Sequence, residues 1–237
     1  MSGHSKWSTI KRKKGANDQA RGKAFSKLSK AISLAVKTGG SDNPDFNYKL
    51  RIAIDAAKTE NMPKDTIDRA IKKASETGDL SEVTYEGFGP EGVQFLIEIA
   101  TDNKNRTSAE IKSLLQKAGG NLGGPGSVSF NFDPVGFILL TKVEDKEEAT
   151  LDLIDMGAEN VEETAGGLEV HVPTTELSDF TKALTDKGYI IAESAMIQLP
   201  KTLQKIEGEK LQERITKLMS DLDDHEDVQN VYTNADF

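Results

Sequence analysis

The order of apolar and polar positions changes period along this chain. From Phe25 the apolar residues Phe25, Leu28, Ile32, Ala35 and Val36 share one side of a helix at about 100° per residue, with Lys23, Lys27, Lys30 and Lys37 on the other. Gly39-Gly40 ends that helix. A second helix is predicted over NYKLRIAIDAAKTEN, with Leu50, Ala53, Ile54 and Ala57 inward. A third follows over MPKDTIDRAIKKASE, where Pro63 suits a first helical turn.

Beyond residue 80 the period becomes two. In GVQFLIEIATD, Val93, Phe95, Ile97 and Ile99 alternate with polar positions, a half-buried strand whose hairpin partner is SEVTYEGF. TSAEIKSLLQKAGG then predicts a helix with Thr107 and Glu110 as a capping box, a stripe of Ile111, Leu114, Leu115 and Ala118, and Gly119 at its end. A strand is expected over GSVSFNF. Residues 134–199 read strand, helix, strand, strand, helix, strand, the ferredoxin-like order. A last helix carries Leu211, Ile215, Leu218 and Leu222 on one stripe, before a short strand at DVQNVYT. That strand needs a sheet to join, and the incomplete one lies at 81–133. The expectation is an α+β chain of three domains: a basic helical domain over 1–80, a discontinuous α/β middle domain over 81–133 and 200–237, and a ferredoxin-like insert over 134–199.

Charge sharpens the division. The whole chain of 237 residues carries 30 Lys+Arg against 39 Asp+Glu, a net charge of -9. Residues 1–80 hold +8 of this and the remainder -17, and the first acidic residue is Asp18. Such asymmetry predicts a polyanion as partner of the basic end. There is no cysteine, which excludes disulfides and thiolate chemistry and fits a cytoplasmic setting. No apolar run approaches the roughly 18 to 20 residues of a membrane span, and the start lacks the apolar segment of a secretory signal. A basic, serine-containing start also suits a mitochondrial transit peptide, but here only Trp7 and Ile10 are large and apolar.

Most short motifs carry little chemistry. GFGPEG matches a dinucleotide pattern in letters but opens a strand, so a hairpin turn is expected. GGNLGGPGS lacks the Lys-Ser/Thr of a phosphate loop; Gly119, Gly120, Asn121 and Gly123 form either a helix stop with a turn or a loop that lets a ligand approach closely. DLDDHED fails the calcium-loop template, having Glu226 and Tyr232 where glycine and glutamate belong, and reads as a solvated helix end. His4, His171 and His225 are scattered, giving no zinc spacing, and no nucleophile with its base is evident. Neither a cofactor nor a small-molecule substrate is expected, and no enzymatic activity.

The candidate site is the N-terminal cluster. Lys6, Lys11, Arg12, Lys13, Lys14, Arg21 and Lys23 can each neutralise a phosphate, and Lys27 and Lys30 extend the stripe along the first helix toward Arg69, Lys72 and Lys73. Trp7, the single tryptophan, either stacks on a base or is buried against the helices, the commoner fate of tryptophan. The insert is a poor RNA platform, with Lys142, Lys146, Lys182 and Lys187 against 14 carboxylates and no stacking aromatics in LEVHVP, and reads as a protein-contact or spacer domain.

GHSKWSTIK, FNYKLRIAIDAAKTENMPKDTIDRAIKKA, YEGFGPEGVQFLIEIATDNKNRTSAEI and AGGNLGGPGSVSFNF together resemble the YebC family over essentially the whole chain. The resemblance implies three domains with the third inserted. It also implies a choice of function: bacterial members are described as DNA-binding transcriptional regulators and as ribosome-associated factors aiding proline-rich synthesis, and the mitochondrial relative as a translational activator. Only Met1-Ser2 precede the family's opening segment, as in bacterial members. Tyr48-Lys49 stand where the family usually has Pro-Arg. The basic domain shows no clear helix-turn-helix with base-reading residues, whereas RNA binding needs only phosphate contacts and shape. Ribosomal RNA is therefore the expected partner, with the ribosome as its setting and DNA as the alternative.

Overall fold

The structure, a computed structural model, describes residues 18–76 and 80–237. It divides into two compact units, one made of residues up to 132 together with 200–237, the other of 133–199.

The first unit opens with three helices, α1 (Asp18–Gly39), α2 (Tyr48–Thr59) and α3 (Lys64–Glu76). Their buried core is Ile32, Ala35, Val36, Leu50, Ala53, Ile54, Ala57, Met62, Ile67, Ala70 and Ala74, with Phe25 and Leu28 partly buried against it. One asparagine fixes the first corner. Buried Asn47 caps α2 by accepting from the Leu50 N–H at 3.0 Å, while its amide donates to the carbonyls of Ala35 at 2.8 Å and Ser41 at 2.7 Å. A Cβ on Gly39 would lie 2.1 Å from that side chain, so α1 has to end in glycine. Tyr48 occupies the first helical position of α2.

The same unit continues into a sheet. β1 (Ser81–Phe88) and β2 (Gln94–Thr101) pair antiparallel through a 3₁₀ turn at Pro90–Gly92, the hairpin expected of GFGPEG. After α4 (Lys104–Lys117) come β3 (Asn121–Leu122), which pairs with β1, and β4 (Phe132–Thr141), which leads into the second unit. The chain returns through β8 (Gln204–Lys205), α7 (Glu209–Asp223), β9 (Val228–Thr233) and β10 (Ala235–Asp236). β9 pairs antiparallel with β2, giving the order β3-β1-β2-β9, so the terminal strand completes the sheet as its pattern demanded. The core between this sheet and α4 and α7 gathers Phe95, Ile97, Ile99, Ile111, Leu115, Ile215, Leu218 and Leu222.

Two local expectations are corrected. α4 starts three residues before Thr107: Asn103 is its cap, accepting from Arg106 N–H at 3.1 Å, and Thr107 is instead buried inside the first turns. GSVSFNF is not a strand; Ser129–Asn131 form a 3₁₀ turn and the strand begins at Phe132. The physical reason is Glu86, whose buried carboxylate draws in the N–H groups of that loop.

The second unit is ferredoxin-like, with strands β4, β5 (Asn160–Thr164), β6 (Gly167–Val172) and β7 (Ile190–Pro200) in the order β5-β6-β4-β7, and helices α5 (Lys146–Asp155) and α6 (Leu177–Asp186). Leu168, Val170 and Val172 are buried on β6, as are Leu153 on α5 and Phe180 and Leu184 on α6.

The chain leaves and re-enters the first unit at adjacent points, since Lys201 N–H donates to the Asn131 carbonyl at 2.7 Å and Thr202 N–H to Asn131 Oδ1 at 3.0 Å. Replacing 134–199 by a short glycine linker should therefore leave a protein that melts in one cooperative transition by calorimetry. A broad, non-cooperative melt would count against an independently folding first unit.

Candidate nucleic-acid interface

Of the predicted phosphate contacts, Lys6, Trp7, Lys11, Arg12, Lys13 and Lys14 lie outside the described residues, as does the side chain of Arg21. Lys23 is exposed on α1. Lys27 and Lys30, expected to continue the same stripe, point to another destination. Lys27 Nζ reaches the Asp223 carboxylate at 3.1 Å and also its carbonyl, and Lys30 Nζ reaches Asp227 Oδ1 at 2.6 Å and the Glu226 carbonyl at 3.0 Å. Their side chains are only 16% and 26% exposed. These two residues hold α1 to the end of α7 and the start of β9. A shallow cleft beside them, lined by Lys23, Ser26, Lys27, Asp224 and Glu226, mixes both signs of charge.

Asp227 is the centre of this contact. It is 3% exposed, yet its Oδ2 receives Thr107 Oγ1 at 2.7 Å, Arg106 Nη2 at 2.9 Å and Thr101 Oγ1 at 3.2 Å, while Oδ1 receives Lys30. Burial alone would raise its pKa; the hydrogen bonds of Lys30, Thr107 and Arg106 outweigh that and hold it well below the usual carboxylate range. Its own N–H donates to His225 Nδ1 at 3.1 Å, which leaves the proton on Nε2 to bond Glu110 Oε2 at 2.9 Å. Donor atoms of Glu110, His225 and Asp227 thus lie within 4.8 Å of one another. An ammonium and a guanidinium already neutralise Asp227, so the cluster serves as an ion-pair hub.

Sequence reasoning read DLDDHED as a solvated helix end, and the hub corrects this for Asp223, His225 and Asp227. The signal was faint but present: Asp227 directly precedes an apolar strand, where a carboxylate must be paired to be buried.

The glycine-rich segment resolves into structure of its own. Gly119, at φ 85°, ends α4; Gly120 passes so close to β1 that a Cβ would lie 2.0 Å from the Phe88 carbonyl oxygen. Asn121 pairs with Phe88, and Gly123 N–H donates to the Glu86 carbonyl at 2.8 Å. The close approach is therefore to the chain's own strand. Glu86 then binds the N–H groups of Gly126, Val128 and Ser129 at 2.8, 2.6 and 2.9 Å. Burial pushes its carboxyl up, and these backbone donors more than offset that, leaving it below its ordinary value.

What remains basic is concentrated. Residues 1–17 carry five Lys+Arg and no acid. The helices after them hold exposed Lys49, Lys58, Lys64, Arg69, Lys72 and Lys73 interleaved with exposed Asp55, Asp65 and Asp68. Among the described residues no helix is long and apolar enough to cross a membrane.

A family model described as "TACO1/YebC protein N-terminal domain" matches residues 5–77, and another, "TACO1/YebC second and third domain", matches residues 80–235. The chain belongs to the TACO1/YebC family. Similar relatives include a "probable transcriptional regulatory protein" of Finegoldia magna, 44% identical over 240 residues and covering 100% of this chain and 99% of that protein. One of Geobacter sulfurreducens is 46% identical over 241 residues, covering 100% and 96%. The crystal structure of a conserved hypothetical protein from Aquifex aeolicus superposes with a TM-score of 0.86 at 37% identity, over 92% of this chain and 91% of that one.

In this TACO1/YebC chain, Asp227→Ala should cost about 3 kcal/mol in urea unfolding, the lower end for a broken buried pair because Arg106 and Lys30 keep some solvent. The acid limb has a definite sign. Asp227 and Glu86 have folded pKa values below their unfolded ones, so the unfolded chain takes up protons first as pH falls. Their contribution is complete above about pH 5 and shrinks as pH drops through the carboxylate range. Urea midpoints taken between neutral pH and pH 3 should fall less steeply in Asp227→Asn than in the wild type.

Proposed function

We propose that this chain is a non-enzymatic, nucleic-acid-binding regulator of gene expression that acts in the cytoplasm as a ribosome-associated translation factor, contacting ribosomal RNA through its basic N-terminal domain. The observation that carries the reading is the segregation of charge. Five cations without an acid precede Asp18, while two lysines farther along α1 are neutralised by the chain's own carboxylates. Arg21 and Lys23 sit beside that N-terminal run, so phosphate binding is assigned to Lys6, Lys11, Arg12, Lys13, Lys14, Arg21 and Lys23. Trp7 lies among them in sequence, and stacking on a base is assigned to it. A net charge of -17 after residue 80 repels bare duplex beyond the basic end, whereas a ribosome presents RNA and basic proteins side by side.

The second reading, a DNA-binding transcriptional regulator, is favoured by the names of the bacterial relatives. α2 and α3 are joined by a tight turn, as two helices of a DNA reader would be. Against it, α3 exposes Asp65 and Asp68 in its first two turns, where a major-groove helix carries its base-reading residues and where carboxylates face the phosphate field.

Co-sedimentation with ribosomes at near-physiological salt separates the two. Binding should be lost when Lys11, Arg12, Lys13 and Lys14 are changed to Ala, and the log-log salt slope on a nucleic acid should flatten by about 3 to 4 units. Nanomolar, sequence-selective binding to a promoter duplex without ribosome association would overturn the translational reading in favour of the transcriptional one.

A further inference from the structure

In the second unit, α5 turns two large aliphatic side chains outward. At about 100° per residue, Leu151 lies opposite the buried Ala149 and Leu153, and Ile154 stands one turn farther along the same strip. The two are 67% and 51% exposed. A helix packed on a sheet ordinarily keeps its outer strip polar, and exposed aliphatic residues are scattered singly. Here they are neighbours, with a shallow groove lined by Lys146, Glu147, Thr150, Leu151 and Glu163 beside them.

The rim of this pair fixes the sign of what fits it. Exposed Glu147, Glu148 and Asp155 fall within about 60° of Leu151 around the helix axis. Among the described residues none of their carboxylates has a hydrogen bond or an ion pair. Lys146 and Lys187 are already neutralised by Glu163 and Asp152, and the insert as a whole carries four lysines against 14 carboxylates. A nucleic acid or an anionic lipid surface would meet like charge here. A second copy offering the same face would set three carboxylates against three. A small cation would neutralise the rim and leave both aliphatic side chains in water. A basic polypeptide with an apolar side satisfies both features at once.

We propose that the outward face of α5 docks a basic, amphipathic protein segment whose aliphatic side chains cover Leu151 and Ile154 while its Lys and Arg side chains meet Glu147, Glu148 and Asp155. The inference goes beyond nucleic-acid binding at the basic end. It gives the acidic insert a protein partner, whichever nucleic acid that end takes. The charged rim governs how fast such a segment arrives, and the aliphatic pair governs how long it stays.

The test uses the full chain and two fluorescently labelled peptides of about 14 residues, four helical turns. One is an amphipathic leucine/lysine helix; the other replaces its leucines by serine at the same charge. The wild type should bind the leucine/lysine peptide more tightly than the lysine/serine one by fluorescence anisotropy. Leu151→Ser with Ile154→Ser should bind the leucine/lysine peptide about 5- to 30-fold more weakly, the usual loss at an interface hot spot, with an unchanged melting curve because both positions are exposed. Glu147→Gln, Glu148→Gln and Asp155→Asn together should flatten the salt dependence of that binding. A wild type that binds neither peptide, or binds both equally well, would overturn the inference, as would equal affinity of the Leu151/Ile154 variant. So would self-association of the wild type in sedimentation equilibrium that the same variant abolishes, since a second copy would then be what covers the face. Nucleic-acid binding that depends on Lys11–Lys14 would in each of these cases leave the proposed function standing.

Discussion

One carboxylate holds the first unit together. Asp227 is reached by an ammonium from α1, a guanidinium and a hydroxyl from α4 and a second hydroxyl from the end of β2, while its own carbonyl accepts the Ala100 N–H at 2.8 Å. Each partner is separated from it by 120 residues or more. The charge is tolerable in a buried place only because every one of these donors is present, and each donor is oriented by it in return. The helical domain, the sheet and the last strand are thereby made mutually dependent through a single side chain.

This arrangement changes the meaning of the charge asymmetry. Opposite net charges on the two ends of a chain suggest a molecule whose halves face different partners. Part of that opposition is satisfied internally, where Lys27 and Lys30 meet Asp223 and Asp227. The lysines of α1 are consequently not alike: Lys27 and Lys30 meet the chain's own carboxylates, while Lys23 is exposed. A basic helical face counts as a nucleic-acid surface only after its intramolecular partners have been subtracted.

The elements were legible where their signal was local. The 3.6-residue period of α1 to α3, the alternation in β2 and the strand–helix order of the insert each depend on neighbours in sequence, and all three reappear in the structure. The placement of β9 followed from a global constraint, the intolerance of a lone strand, and was also accessible. What escaped were buried polar groups whose partners are remote. Glu86 draws Gly126, Val128 and Ser129 out of a strand, and Asp227 draws Thr107 away from a capping role. Nothing local in a glutamate on an alternating strand or an aspartate after a helix announces this. The same holds at the candidate site: net charge located the basic end, but that Lys27 and Lys30 meet internal carboxylates depends on contacts nearly 200 residues distant.

The position of β9 also sets a timetable for the growing chain. The helical core needs nothing beyond Ala74, so it is able to assemble early in synthesis. β2 must wait. Its open edge, lined by Phe95, Ile97 and Ile99, meets Val228 to Thr233 only when the last residues have emerged, a delay on the order of ten seconds at ordinary elongation rates. During that interval a hydrophobic strand edge stands unpaired on a nascent chain, and the charged residue that will lock it in place has not yet been made.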